Sequence, residues 1–463
     1  MDKLFREFGQ AMQRYNGNEL SLTLSPVAPA DDPYRLRNIC NGANHHDAKA
    51  VIKRKIQNNS DGLGHAEVMG WTDVYYAYWK ALGQILLVED EQSGRGSGPV
   101  STWTRVYEAW KDVINAVHRG YTNHGFEAWT VPCLYVVGNH LRIFAVRADE
   151  ERANASSSAT GPAFVGEAAF QDDFDADSEK NQQLEDCARQ LNRLFQLCLS
   201  DRTQDLVHSR KWGIYGLINL LFKTYFKLNS ASLSRNILRA LTAYKGDMPG
   251  LDKFPRSQRV TFKYYEGVVY FLEENYAEAE THLTEAYELC YTHATRNKEQ
   301  ILTYLIPCHL ITSHALPSKQ LLAPYPKLQT LFGPLSASIK KGDLEAFSQV
   351  LHDNEEDFIK LRIYLTVERG RDICLRNLLR KVFIAGGFEE ATEPGKAPLR
   401  KTRVPISHFT AGLWAMKQTD LDLDEVECLL ANMIYKNFMK GYIHHERGIV
   451  VLSKAEAFPG TGV

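Results

Sequence analysis

The chain has 463 residues, 44% hydrophobic and 24% charged, a globular balance that excludes wholesale disorder and leaves room for about two or three domains. A formal net charge of -2 excludes a uniformly basic nucleic-acid coat, so any phosphate binding must come from a local patch. No apolar run reaches the roughly 18 residues of a membrane span, and eight cysteines without a C-x-x-C pair point to reduced, buried thiols in an intracellular protein, Cys428 among them.

The opening segment MDKLFREFGQAMQRY sets Leu4, Phe8, Met12 and Tyr15 on one helical stripe and has no apolar core of the secretory kind. Helical spacing continues through TDVYYAYWKALGQILLVE, TWTRVYEAWKDVINAVHRG and QLEDCARQLNRLFQLCLSD. Two stretches interrupt it as loops: 88–102, rich in Gly, Ser and charge, and 148–183, where small residues and acids dominate. The second cannot bury enough surface to order itself and is read as a disordered insertion, with Phe164 and Phe170 its candidate docking residues. KWGIYGLINLLFKTYFKL is apolar nearly all round, which suits a helix buried between neighbours, with Trp212, Tyr215, Phe222, Tyr225 and Phe226 as packing residues.

In KYYEGVVYFLEENYAEAETHLTEAYELC, Gly267 and Tyr270 are followed by Ala279, Leu283 and Ala286, the offsets of a tetratricopeptide helix pair. Small residues let two antiparallel helices approach closely, and the tyrosine and leucine fill the space between them. Among so many helical segments this predicts an α-solenoid.

After residue 368 the pattern changes. RDICLRNLLRKVFIAGG is an amphipathic helix stopped at Gly386-Gly387. RVPI reads as an edge strand because of Pro405, and Ser407 is a candidate cap for the next helix. Asp422 and Glu425 have capping-box spacing, with Val426, Leu429, Leu430, Met433 and Ile434 as the core stripe and Gly441 as the stop. YIHH and IVVLS then pair around Glu446, Arg447 and Gly448 as a hairpin. Helix, strand, helix, helix and hairpin make a winged helix. The expected architecture is all-α: N-terminal helical repeats over 1–200, a tetratricopeptide-like array over 201–368, a winged helix over 369–455 and a tail over 456–463.

A helical array feeding a winged helix is the layout of PCI domains. RVTFKYYEG, NKEQILTYLIP, DLDEVECLLANMIYKNFMKGYIHHERGIVVLSK and the terminal FPG resemble the family of PCI domain-containing protein 2, which includes the export-complex subunit of yeast and the signalosome subunit-twelve-like proteins of fungi. The resemblance covers most of 200–460; the first 200 residues match in helical character only. It implies a non-catalytic scaffold, partnered by a second, larger PCI-domain subunit and by a small acidic disordered subunit shared with the proteasome lid. The paired winged helices would offer RNA or DNA a joint basic surface, in transcription-coupled nuclear mRNA export of the transcription-and-export complex 2 type. The family's other branch implies a signalosome-associated subunit acting through protein contacts in transcription or splicing. The nucleus is the expected location, with the cytoplasm as a second one.

Local charge supplies the candidate nucleic-acid residues. GKAPLRKTR holds Lys396, Arg400, Lys401 and Arg403, and the preceding helix adds Arg371, Arg376, Arg380 and Lys381. Lys436 and Lys440 are expected to project from the last helix, with His444, His445 and Arg447 on or near the wing. Each phosphate neutralised would release counterion. Asp420, Asp422, Asp424, Glu425 and Glu427 crowd the start of the recognition helix, which argues against base readout and for weak backbone binding or a merely solvated face. A third reading, a transcription factor that reads one duplex sequence, is opposed by the same acids. For the acidic partner the candidates are Lys211, Lys223, Lys227, Arg235 and Arg239; for a neighbouring PCI subunit, Trp414 and Met416.

Nothing in the sequence suggests catalysis or a cofactor. There is no G-x-S-x-G elbow, no P-loop, and no H-x-H with a downstream acid of the isopeptidase kind. GRGSG near Gly94 lacks the lysine of a phosphate cradle. Adjacent histidines, as in His45-His46 or His444-His445, do not converge on one metal ion.

Overall fold

The computed structural model describes residues 1–60, 62–94, 101–159, 181–244, 248–389, 400–418 and 421–461. They form two compact units, Met1–Tyr265 and Glu266–Val463. No helix among them is long and apolar enough to cross a membrane.

The first unit is built from helices α1 (Asp2–Gln13), α2 (Gly17–Thr23), α3 (Ala48–Asn59), α4 (His65–Gln92), α5 (Trp103–Asn123), α6 (Pro132–Ala159), α7 (Gln182–Leu199), α8 (Ile214–Lys227) and α9 (Ala231–Ala243), ending in α10 (Arg256–Leu272). Aromatic residues at helical spacing become its core: Trp71, Tyr75, Tyr78, Tyr107 and Trp110 are fully buried. The polar ends of Tyr75, Tyr78, Tyr107 and Trp110 are satisfied, as burial requires. Tyr78 donates to Ser25 O at 2.6 Å, and Trp110 Nε1 to Val137 O at 2.9 Å. Trp71 stacks on Phe126 at 4.0 Å, and Gly120 makes room for that ring, since a Cβ there would stand 2.1 Å from Phe126 Cε2. Tyr215, Phe222 and Tyr225 are buried as packing residues, with Trp212 and Phe226 partly so.

Two expectations change here. α4 runs to Gln92 with Val88 buried, so the first loop begins about a turn later than residue 88. α6 continues to Ala159, with Ala148 buried, and the Asp149 carboxylate accepts from Gln183 N and Leu184 N at 3.1 and 2.9 Å. An acid in one helix thereby caps the start of the next, satisfying donors that α7 leaves open. The segment 160–180, with Phe164 and Phe170, lies outside the described residues.

In the second unit the C-terminal half of α10 packs on α11 (Tyr276–Leu289) as the repeat pattern requires. Ala279, Leu283 and Ala286 are fully buried, and a Cβ on Gly267 would meet Leu283 Cγ at 2.7 Å. Tyr270 stacks on His282 at 5.3 Å. α12 (Thr295–Thr312), α13 (Pro326–Lys341) and α14 (Leu344–Asp353) continue the array.

A winged helix closes the unit: α15 (Gly370–Ala385), β1 (Arg403–Pro405), α16 (Ile406–Ala415), α17 (Leu423–Tyr435), β2 (Gly441–His444) and β3 (Ile449–Leu452). The sheet order is β1-β3-β2, both pairs antiparallel, so Pro405 sits on an edge strand as its missing N–H demands. Gly387 at φ +72° follows the end of α15, and Gly448 at φ +59° turns the hairpin. The capping box is present: Glu425 N donates to Asp422 Oδ1 at 2.7 Å, and Asp422 N to Glu425 Oε2 at 3.0 Å.

The boundaries differ in two places. Ser407 lies inside α16, whose cap position is Pro405, and supplies no cap. α17 stops at Tyr435 because Asn437 takes the left-handed conformation at φ +58°, so Gly441 opens β2 instead of ending a helix. The tail is part of the fold: Phe458 is fully buried, 5.8 Å from the Phe383 ring, and Lys440 N donates to Ala457 O at 2.8 Å. Six cysteines are buried, Cys40 is partly covered, and Cys428 is exposed, against expectation. Its place on α17 falls between the core stripe and solvent.

Candidate interaction site of the winged helix

Period-two alternation gives the small sheet two faces. Val404, Val450 and Ile443 form one cross-strand row turned to the core, Val404 and Val450 being fully buried. The outer face carries Arg403, Val451 and Tyr442 in one row and Pro405, Ile449 and His444 in the next. Arg403 is exposed, Tyr442 is 61% exposed and the others are half-buried. Arg447 stands exposed in the turn that joins β2 to β3, four residues along the chain from Val451. Lys401 is also exposed.

The other candidate cations are committed within the fold. Arg376 is only 9% exposed, its guanidinium 6.0 Å from the Phe438 ring centroid and its Nε buried without a partner. Burial first, then the Arg380 charge, pulls its pKa below the usual arginine value. A side chain so placed cannot offer its charge to phosphate, and Arg376 is removed from the expected surface. Arg380 is half-buried and donates to Thr461 O at 3.5 Å, at the edge of hydrogen-bond distance. Lys436 Nζ pairs with Asp372 and Lys440 Nζ with Glu456, each at 2.6 Å. Lys440 lies beyond the end of α17, not on it. Arg371 donates to Gln418 Oε1 at 3.3 Å and Lys381 to Lys341 O at 2.6 Å. Arg400 turns inward, its guanidinium 4.6 Å from the Phe388 ring centroid and 5.7 Å from that of Phe383. Lys396 and Asp420 lie outside the described residues.

His444 ends β2, and His445 begins the turn instead of alternating on the strand. His445 Nδ1 lies 2.9 Å from Glu427 Oε2, and that hydrogen bond, then the carboxylate's charge, raises the imidazole pKa. Trp414 is 51% exposed, its Nε1 directed to Leu421 O at 3.4 Å, and Met416 is half-buried beside it. Sequence reasoning passed over Tyr442 and Tyr435, the latter 90% exposed. The alternation within GYIH was the available signal for Tyr442.

In the first unit, Lys223 is half-buried, and burial first, then Arg142, lowers its pKa. Lys227 pairs with Glu150 at 3.2 Å and Lys211 is buried, so these three do not form an open basic strip. No group of three His, Cys, Asp or Glu side chains able to hold a metal ion occurs among the described residues.

Helical pairs running into a three-stranded winged helix make this a PCI-domain protein, and the PCI domain model matches residues 351–454. The chain is 59% identical to Protein CSN12 homolog of Neurospora crassa over the whole of both chains. It is 34% identical to Protein CSN12 homolog of Schizosaccharomyces pombe over 89% of this chain and 85% of that one. PCI domain-containing protein 2 of Danio rerio is 32% identical over 76% of this chain and 78% of its own. The chain belongs to the family of the CSN12 homologues and PCI domain-containing protein 2.

Proposed function

We propose that the chain is a non-catalytic scaffold subunit of a PCI complex in transcription-coupled nuclear mRNA export, its winged helix seated beside that of a larger PCI subunit. The single observation that carries this reading is the outer sheet face, where Arg403 and Tyr442 flank Val451 in one row and Arg447 stands at the wing. Apolar surface at Tyr442 and Trp414 suits a protein neighbour, and the adjoining arginines suit a phosphate backbone crossing the edge of the pair. A small acidic disordered subunit completes the assembly, and its basic counterparts on the array are the exposed Arg235 and Arg239 in place of Lys211, Lys223 and Lys227.

Two experiments separate the parts. Charge reversal at Arg403 and Arg447 together is expected to weaken binding of a labelled single-stranded RNA severalfold and flatten its salt dependence, while the PCI partner still co-purifies. Tyr442→Ala with Trp414→Ala is expected to release the partner. RNA affinity unchanged by the first pair would discard the nucleic-acid role.

The signalosome-associated reading draws on a different observation. Lys436 and Lys440 are neutralised within the fold and Arg376 is buried, which shrinks the basic surface and favours a subunit working through protein contacts alone.

A further inference from the structure

Where the helical array meets the winged helix, α15 presents two arginines that no acid neutralises. Arg376 and Arg380 stand at i and i+4, which sets their Cβ atoms about 5–6 Å apart on one helix face. Nε of each is buried without a hydrogen-bond partner. Phe438 walls the pair on one side, its ring centroid 6.0 Å from the Arg376 guanidinium, and the His314 ring lies 5.1 Å from that of Phe438. His314 follows the end of α12 and Phe438 the end of α17, so array and winged helix both contribute.

A guanidinium keeps its charge at any physiological pH, so a buried one calls for an anionic partner. The acids at hand are committed elsewhere. Asp372, one turn before Arg376 on α15, holds Lys436, and Glu456 accepts from Lys440 Nζ at 2.6 Å and from Gly460 N at 3.1 Å. No carboxylate among the described residues lies within ion-pair distance of Arg376 or Arg380. Arg380 reaches the Thr461 carbonyl alone, at 3.5 Å. His314 adds no charge at neutral pH, since burial first and then Arg376 lower its pKa.

The two Nη atoms of Arg376 donate to no acceptor among the described residues, and unlike Nε they are not sealed from solvent. With the residue only 9% exposed, a group that reaches them must enter by its tip. A nucleic-acid phosphate continues into a sugar on both sides and is kept out; a carboxylate ends in its two oxygens. The donors also come from one helix face as planar forks, which suit a flat carboxylate side-on. The cradle of backbone N–H groups that phosphate sites use is missing in the middle of a helix.

We propose that Arg376 and Arg380 together hold one carboxylate supplied from outside the chain, at the junction of the array and the winged helix. The carboxylate belongs to a free small acid or to an aspartate or glutamate side chain of a bound protein, and the chemistry at the two guanidinium forks is the same for both. The site is separate from the outer sheet face of Arg403 and Tyr442, so its test does not depend on RNA binding there.

The test is saturation-transfer NMR of the full chain with acetate, read at the acetate methyl protons at fixed ionic strength in chloride. Saturable binding in the millimolar range is expected. Arg376→Met keeps the stem and removes the charge, so it should abolish that binding with the thermal midpoint unchanged or raised. Arg380→Gln, at the half-buried position, should weaken it at least threefold, and it keeps the test decisive where the first variant does not fold. Displacement of acetate by acetylated, amidated glutamate supports the site with a protein side chain as the source; displacement by propionate but not by the glutamate derivative supports it with a free acid. Three outcomes overturn the proposal: no saturable signal, a signal equal to that of the unaltered chain in both variants, or displacement of acetate by sulfate at a lower concentration than by either carboxylate.

Discussion

Lys436 Nζ lies 2.6 Å from Asp372 Oδ2, tying the residue after α17 to the first turn of α15. Both side chains are part-exposed, so the pair holds little free energy but still neutralises a lysine that stands where a winged helix could meet phosphate. Asp372→Asn should change stability by less than about 1 kcal/mol. It should also strengthen single-stranded RNA binding and steepen the slope of log affinity against log salt by roughly 0.7. Fluorescence anisotropy over a salt series reads both effects, and an unchanged slope would take Lys436 out of the surface.

The tail is expected to matter for folding rather than for binding. Phe458 is fully buried against Phe383, and Glu456 holds Lys440 at 2.6 Å. Phe458→Ala should cost about 3–5 kcal/mol, as large-to-small changes at buried aromatics do. Urea unfolding checks this. A loss below 1 kcal/mol, on the order of an exposed-site change, would show that the tail is dispensable.

Gly267 and Leu283 test the helix pair of the array. A Cβ at Gly267 would stand 2.7 Å from Leu283 Cγ and 3.2 Å from Leu283 N, so backbone as well as side chain must give. Gly267→Ala should therefore destabilise by about 1–3 kcal/mol although alanine is the better helix former. Thermal unfolding of Gly267→Ala beside Gly83→Ala, a helical glycine with open space around its Cβ position, separates packing from propensity. The second change should be neutral or stabilising.

His445 carries the pH dependence of the wing. Its hydrogen bond to Glu427 raises the imidazole pKa above the ordinary value of about 6.5. The folded-state pKa is the higher one, so the stabilisation is complete below the unfolded value and fades as pH rises through the folded value. Proton NMR of the imidazole should show titration above 6.5, and Glu427→Gln should bring it back towards that value. Identical titration in both proteins would mean the contact does not hold in solution.

Much of the winged helix was legible because its signals are local. The Asp422–Glu425 box, the Gly387 stop and the Glu446-Arg447-Gly448 turn each lie within a few residues. The array could be read at Gly267 and Ala279 because close helix packing admits only small residues there, with Leu283 filling the space between the helices. What stayed hidden depends on distant partners. Lys436 finds Asp372 64 residues away, and Arg376 disappears under Phe438, a residue on the far side of two helices and a strand. The end of α17 was misread because KNFMKG offers two residues able to leave a helix, and Asn437 takes the left-handed turn before Gly441 is reached. The cap on α7 comes from Asp149 of the preceding helix, which no local pattern announces.

The partner of the winged helix decides whether the protein is a PCI scaffold of the export kind. Isolating the tagged endogenous chain at moderate salt and identifying its stoichiometric companions by mass spectrometry should recover one larger PCI-domain subunit and one small acidic protein, with export factors. Recovery of the chain alone, or with companions that include no PCI-domain protein, would contradict the scaffold reading. Signalosome subunits in place of export factors would keep the scaffold and overturn the export role.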